Sequence, residues 1–481
     1  MPYQGEKANK LGHTPIIMNP DIRKSLERYT IGFKNNNFED ILFNKMIDIN
    51  IEDHKLFHIF SVDGSYADIS VDESYPSARA GYIQWSINLI KLYEDSKVEE
   101  NGIINPVEYN KLMEAYTQSL DLPIYNTLLK PYNTLKDSIR FKINEYLERI
   151  KTYDQEGISI LDTLYEVISE EDIKNNFKCI NALCKSNKEN IKFNKEDFNN
   201  RHRECICKYC GEKLYLIDYL RLHEIIEEEF GASGILSRLC RVLEQLYPIN
   251  FIMNLLGSDE SENVKFEALS KIGFMLDGPL AIYGEPAKLH KNIHKYLIEV
   301  NKKLKNKGFN PLIYFGITKT GTIVDHIKSS IDYIKNTEFK SNDYILPKRK
   351  LLIISDDYRF KYIHPATKNS SFGEETYYGQ DMVYFDNKSN FYVINVMYPF
   401  EKKDNNFKNK KFNIDTYTQI NKISNLLESL QVDLYDMALL PIVLAHKYAA
   451  ISCNPGVGSL TEFSKDIIKW FELKPTEISW F

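Results

Sequence analysis

Five of the seven cysteines fall between Cys179 and Cys210, at a spacing that suits a metal. Cys207-Lys-Tyr-Cys210-Gly211 is a C-x-x-C-G knuckle, and Cys179 and Cys184 form a C-x4-C pair upstream. Two such corners supply four thiolates to a tetrahedral zinc ion. A closed set of four leaves no position for water, so the expected role is structural. The glycine after the last cysteine relieves crowding where backbone amides turn towards sulfur. Cys205 is a fifth candidate that can replace Cys207 in the register. Unrelated reduced thiols are the plain alternative, and a C-x-x-C redox pair the other. The neighbours are Lys, Asn and Glu rather than the apolar surroundings of an unbound buried thiol.

The second set is acidic. Asp63 lies in Val-Asp-Gly-Ser and Asp277 in Leu-Asp-Gly-Pro, each after an apolar run. A carboxylate at a strand end, with glycine turning the chain away, leaves room for a divalent cation and a phosphate. Asp-Gly is also a common turn pair, which is the bland reading of either case alone. Glu244 sits on a helix whose apolar stripe runs through Leu236, Leu239, Leu243 and Leu246. It lies off that stripe, as an ordinary solvated residue would. His446 and Asp436 occur in DLYDMALLPIVLAHKYAAIS, a segment apolar nearly all round. The reading is a buried helix, in which ionisable groups need partners or a task; a hydrogen-bonded core histidine is the alternative. Tyr435 and His446 share a face if the helix is continuous, unless Pro441 starts or kinks it.

Other patterns point nowhere. Gly316-Ile-Thr-Lys-Thr-Gly321-Thr322 resembles a P-loop but lacks the Lys after the second Gly, which argues against ATP binding. His290 and His294, among lysines, read as a surface helix, and His54 and His58 receive the same bland reading. Asn454–Ser459 reads as a Gly-rich loop. Basic clusters at Lys302–Lys307, Lys348–Lys350 and Lys402–Lys411, near Tyr358, Phe360, Tyr362, Tyr377 and Tyr378, suit a nucleic-acid strand or an ordinary solvated surface.

The elements that must position these residues follow from the pattern of apolar positions. A helix is expected near Pro20–Tyr29. His58–Val62 reads as a short strand stopping at the Asp63-Gly64-Ser65 turn, and 80–92 as another strand. Residues 107–150 read as helices, through Leu112, Ala115, Tyr116 and Leu120 and then Leu135, Ile139, Ile143 and Leu147. Residues 174–212 look like an insertion, and Tyr215–Leu256 reads as helical with a break near Gly231–Gly234. Strand-length runs then alternate with a helix at Leu289–Leu304, which predicts a mixed α/β sheet. A Lys-rich linker, Glu401–Lys411, precedes an apolar helix at Tyr435–Ile451.

Composition bounds the rest. The 481 residues carry 43% hydrophobic and 13% aromatic side chains, enough for a substantial core and against global disorder. A net charge of −6 excludes a wholly basic nucleic-acid coat. The longest apolar run, Met437–Ala445, is too short to span a membrane, and the first residues show no apolar secretion core. A cytoplasmic protein is expected.

Taken in order, several stretches resemble the NurA nuclease family, in its larger bacterial form with a cysteine-bearing insertion. They are SVDGSYADISVDESYPSARAGYIQ, CKYCGEKLYLIDYLRLHEIIEEEFGASGILSRLCRVLEQL, FMLDGPLAIYG, GITKTGTIVDH, LLIISDDYRFKY and LYDMALLPIVLAHKYAAIS, covering roughly residues 55–465. The resemblance implies an RNase H-like core that cleaves DNA with Mn²⁺ or Mg²⁺, forms a homodimer and works with HerA, a hexameric DNA-translocating ATPase. It maps metal-binding carboxylates onto Asp63, Asp277 and Glu244, with Glu224 and Glu228 close enough to compete for the last. It maps the family histidine onto His446, a phosphate-contacting lysine onto Lys319, and its tyrosine onto Tyr435, where the spacing departs from the family pattern. The implied division is an N-terminal arm (1–50), a first part of the nuclease core with helices (51–150), a zinc insertion with the start of a helical region (151–230), and the remaining core with its C-terminal helix (231–481). DNA end processing in repair or phage defence follows from the same resemblance. A zinc-stabilised, non-catalytic DNA-binding or adaptor protein is the competing class, and a phosphoesterase acting on small molecules a third.

Overall fold

The computed structural model describes residues 13–29, 45–72, 74–92, 99–100, 103–104, 113–152, 157–337, 346–364, 372–402, 406–432, 438–451, 460, 462–465 and 467. Tyr435, Asp436, Cys453 and the loop expected at Asn454–Ser459 lie outside these residues, as do Lys403 and most of the N-terminal arm.

A nine-stranded mixed sheet organises the chain. Its strands are β1 (Ile47–Asp48), β2 (His58–Ser70), β3 (Arg79–Lys91), β4 (Met113–Tyr125), β5 (Ile272–Asp277), β6 (Ile313–Thr318), β7 (Lys350–Ile353), β8 (Gly379–Phe385) and β9 (Phe391–Met397). Their spatial order is β1-β7-β8-β9-β6-β5-β2-β3-β4. β2, β3 and β4 form an antiparallel meander, β5 runs parallel to β2, and β6 parallel to β5. That order and polarity, β4-β3-β2-β5-β6, is an RNase H-like core, extended by the antiparallel strands β9, β8, β7 and β1.

The central strands explain themselves chemically. Every residue of β8 and β9 is buried, as is all of β5 and β6 but the last residue of each. Such near-continuous apolar runs belong to strands covered on both faces. Phe60, Val62, Phe274 and Leu276 point into a core on one face. Their neighbours Ile59, Met275, Phe315 and Ile317 point into a core on the other.

The principal helices are α1 (Leu135–Arg149), α2 (Ile160–Val167), α3 (Gly234–Gly257), α4 (Leu289–Asn306), α5 (Thr322–Thr337), α6 (Ile420–Ser429) and α7 (Leu440–Ala449). α3 covers the Val62 face, and α6 with α7 the Ile59 face. Thr134 caps α1 through the Asp137 amide, and Leu135, Ile139, Ile143 and Leu147 line its buried side. No helix among the described residues is long and apolar enough to cross a membrane.

Four sequence expectations give way. β2 does not stop at Val62 but runs to Ser70, because β3 pairs with it from His58↔Lys91 to Ser70↔Arg79. The apolar positions around Ala115–Leu120 belong to strand β4, not a helix; pairing with β3 outweighs a fragmentary helical spacing. Residues 216–225 form two short 3₁₀ turns before α3 rather than a long helix. His290 and His294 are buried, not on a surface: a ring nitrogen of each meets a main-chain carbonyl, of Ala287 and Tyr398 respectively.

The cysteine-bearing segment packs against the main body. Arg140 of α1 donates two hydrogen bonds to Asp218, at 2.8 and 2.7 Å, and a third to the Lys213 carbonyl. Arg140 and Asp218 are almost fully buried, so the pair closes the junction with few lone pairs unmet.

Candidate active site and metal centre

β2 and β5 pair in parallel register up to Val62↔Leu276. The next residues are Asp63 and Asp277, so the two carboxylates leave neighbouring strands side by side, at a strand spacing of about 4.8 Å. β5 ends there, while β2 continues beside β3. The notch beside the end of β5 is where the remaining candidates arrive.

α7 approaches from one face. Ser61 Oγ donates to the Pro441 carbonyl at 3.1 Å, Ser65 Oγ donates to the Ala449 carbonyl, and Gln84 Nε2 donates to the Tyr448 carbonyl at 3.0 Å. Ser61, Asp63 and Ser65 alternate onto this face. Asp63 thus meets the last turn of the helix, where its Oδ2 lies 3.0 Å from His446 Nδ1. The helix begins at Leu440 with Pro441 in its first turn, and His446 is not in a buried, all-apolar environment; its side chain is 67% exposed.

α3 approaches from the opposite face, and Gly64 permits it. A Cβ on Gly64 would lie 2.4 Å from Cys240 Sγ and 2.8 Å from Trp85 Cδ1. Trp85 Nε1 donates to the Cys240 carbonyl at 3.2 Å. One turn further along α3, Glu244 lies over the same region, its Oε1 accepting from Cys240 Sγ at 3.5 Å. Glu244 is buried rather than solvated. Burial and then the Asp63 charge push its carboxyl up to about 8, against Arg241, with Asp277 adding to the rise. The two competing glutamates are occupied elsewhere. Glu228 caps α1 through the Leu135 and Lys136 amides, and Glu224 pairs with Arg221.

Asp277 is also raised, by burial and by Asp63, while Lys319 opposes the shift. Lys319 Nζ lies 2.7 Å from Asp277 Oδ2. The turn after Asp277 is a true glycine turn: Gly278 has φ +90°, and its amide donates to the Ile317 carbonyl. Asp63 and Asp277 are thus neighbours by register, and buried Glu244 feels the charge of both, but among the described residues only the four cysteines bring their ligand atoms close enough to share an ion.

The cysteine cluster is more tightly gathered. The sulfur atoms of Cys179, Cys184, Cys207 and Cys210 all lie within 4.8 Å of one another. Cys179–Cys210 and Cys184–Cys207 are 3.6 and 3.7 Å apart. A tetrahedron with zinc–sulfur bonds of about 2.3 Å has edges of about 3.8 Å, so the four thiols fit the ion. The knuckle is built by Cys207 N donating to the Glu212 carbonyl, Gly211 N donating to the Cys207 carbonyl, and Gly211 at φ +74°. Cys205 stays outside the set, on the short strand Glu204–Ile206. A hydrogen bond from the Ser186 hydroxyl holds the Cys184 thiol down to about 6.

The basic clusters that suited nucleic acid are paired in part. Lys302 pairs with Glu401, Lys307 with Glu262, Arg349 with Glu428 and Lys350 with Asp48. Lys411 is buried against Asp356. Sequence reasoning passed over Arg241, which lies one turn before Glu244 on α3 and has no ion pair or hydrogen bond among the described residues. Its i, i+3 relation to Glu244 was the available signal.

No protein-family profile matches the chain, and no curated protein matches it. Among solved structures, the NurA nuclease from Sulfolobus solfataricus is similar at 10% identity over 97% of each chain, with a TM-score of 0.29. A second NurA structure is similar at 12% identity over 93% of this chain and 95% of that one, with a TM-score of 0.26.

Proposed function

We propose that the protein is a metal-dependent deoxyribonuclease that hydrolyses phosphodiester bonds at DNA ends. The observation that carries this reading is the register of Asp63 beside Asp277 on adjacent parallel strands, with buried Glu244 electrostatically coupled to both. Asp63, Glu244 and Asp277 are the residues that would hold Mg²⁺ or Mn²⁺. Such a cation, when bound, activates water and stabilises the leaving oxygen. Lys319, at the rim of the notch, offers a positive charge to a substrate phosphate. His446 is oriented through Nδ1 by Asp63 and keeps an exposed ring with which to transfer a proton. The four-cysteine site is read as structural zinc, since four thiolates leave no ligand position open.

The sequence resemblance supports the finer parts of the proposal: a cytoplasmic homodimer, DNA delivered by a HerA-type hexameric ATPase, and a role in repair or phage defence. The test is cleavage of linear and circular DNA in Mn²⁺ by the wild type and by Asp63→Ala, with DNA binding measured alongside. The expected result is a wild type that cleaves and a variant that binds but does not. A zinc-loaded wild type that binds DNA and never cleaves it would favour the non-catalytic adaptor reading.

A further inference from the structure

Beside the acidic notch lies a cavity of about 440 Å³. Thr318 and Thr320, which flank Lys319, form one edge, and Arg241 and Pro279, two residues after Asp277, bring it against the Glu244–Asp277 side. An ideal Cβ on Gly278 would lie 4.0 Å from an Arg241 Nη1. Arg241 is thus a guanidinium without a partner among the described residues, placed between the carboxylates and the cavity.

The opposite wall is aromatic and firmly held. Tyr283 donates to the Tyr377 hydroxyl at 2.8 Å, with the rings edge to face. Tyr377 is anchored behind by Lys402, whose ammonium donates to its carbonyl at 2.7 Å. Arg359 packs over Phe372 and is itself paired with Asp381, so its charge is already spent. At the rim Gly321 has φ +116° and open space where a Cβ would stand, leaving the backbone at the start of α5 accessible.

A guanidinium with no hydrogen bond or ion pair among the described residues on the acidic side, and edge-to-face tyrosine rings on the other, match the two halves of a nucleotide: phosphate and base. The volume lies within the range of about 300–1,000 Å³ that holds a small organic ligand, and no duplex enters such a space.

We infer that this cavity is a subsite for one unpaired terminal nucleotide of a DNA strand, with its phosphate on Arg241 and its base against Tyr283 and Tyr377. The inference rests on the nuclease reading of the adjoining notch. It adds that strand ends are engaged in frayed, single-stranded form.

The full-length Asp63→Ala protein allows binding to be read without cleavage. Duplexes carrying 2-aminopurine either at an unpaired terminal position or at an internal paired position would be titrated by fluorescence, beside a closed circle and free 2-aminopurine deoxynucleoside monophosphate. Quenching confined to the terminal probe is expected. Arg241→Gln and, separately, Tyr283→Ala should weaken binding of the frayed end about tenfold and leave the circle unaffected. Equal signals from terminal and internal probes, or variants that bind frayed ends as well as their parent, would overturn the subsite. So would capture of the free mononucleotide with no response to strand ends. Failure of the nuclease reading looks different: the wild type then cleaves no DNA in Mn²⁺, whatever the fluorescence shows.

Discussion

The two polar clusters of this protein are assembled in opposite ways. The thiolate cluster draws all four sulfurs from residues 179–210 and closes them to within 4.8 Å. The acidic notch gathers Asp63, Glu244, Asp277 and His446 from a strand, a helix, a second strand and a helix on the far face. Local turns suffice for the first. The second needs the sheet register, a glycine that admits α3, and two serines that hold α7 in place. The first is tight, with three of its four cysteines buried. The second is open to solvent at His446 and Lys319, where a substrate could enter.

The largest expected effect falls on the local cluster. Cys207→Ser combined with Cys210→Ser should abolish zinc binding, whose free energy in small zinc modules is about 10 kcal/mol or more. Metal analysis should fall from about one zinc per chain to none, and the melting temperature should drop sharply. Stoichiometric zinc surviving the double change would refute the ligand set.

Asp277→Asn comes next. It removes a carboxylate and releases Lys319, and the expected cost in cleavage is about 10³-fold or more with DNA binding retained. Cleavage at the wild-type rate would remove Asp277 from the site.

Glu244→Gln separates the clusters by pH. The Glu244 carboxyl moves from an ordinary 4.5 to about 8 on folding. The cation-free native state therefore holds a proton that the unfolded chain has released. This contribution is fully present below about pH 4.5 and is lost as pH rises through about 8. Without added divalent cations, Glu244→Gln should be more stable than wild type at pH 9, by roughly 5 kcal/mol at most, with the gap closing towards pH 5. Thermal melts at both values check this. An equal gap at the two pH values would mean that Glu244 does not titrate there.

His446→Ala should slow cleavage about 10²-fold, the low end for a proton-transfer group. Its exposed side chain should make the stability change small, so a large loss of melting temperature would recast it as structural.

The smallest effect is expected at Gly64. Its Cβ would overlap Cys240 Sγ and Trp85, so Gly64→Ala should cost about 1–3 kcal/mol. Adding Cys240→Ala should recover part of that cost in urea melts. No recovery would mean that Cys240 is not what the new methyl meets.

The sequence by itself determined what is local. The knuckle at Cys207–Cys210, the buried strands at 272–277 and 391–397, and the α1 stripe through Leu135–Leu147 are set by residue type and short spacing, and all are legible in it. The two Asp-Gly pairs mark where that legibility ends, since they look alike as text. At Gly278 the glycine makes a left-handed turn, as its type suggests. At Gly64 it lies inside a thirteen-residue strand, where its missing side chain matters because Trp85 of β3 and α3, 170 positions later, pack against it. The same holds for Glu244, which pattern alone could not separate from Glu224 and Glu228, and for the lysine clusters, whose acidic partners lie 45 to 99 residues away in several cases. Burial, strand register and charge pairing depend on which segments meet across the sheet. Only the tertiary structure decided that, because the free energy of those contacts belongs to pairs of distant residues and leaves no periodic trace in either segment.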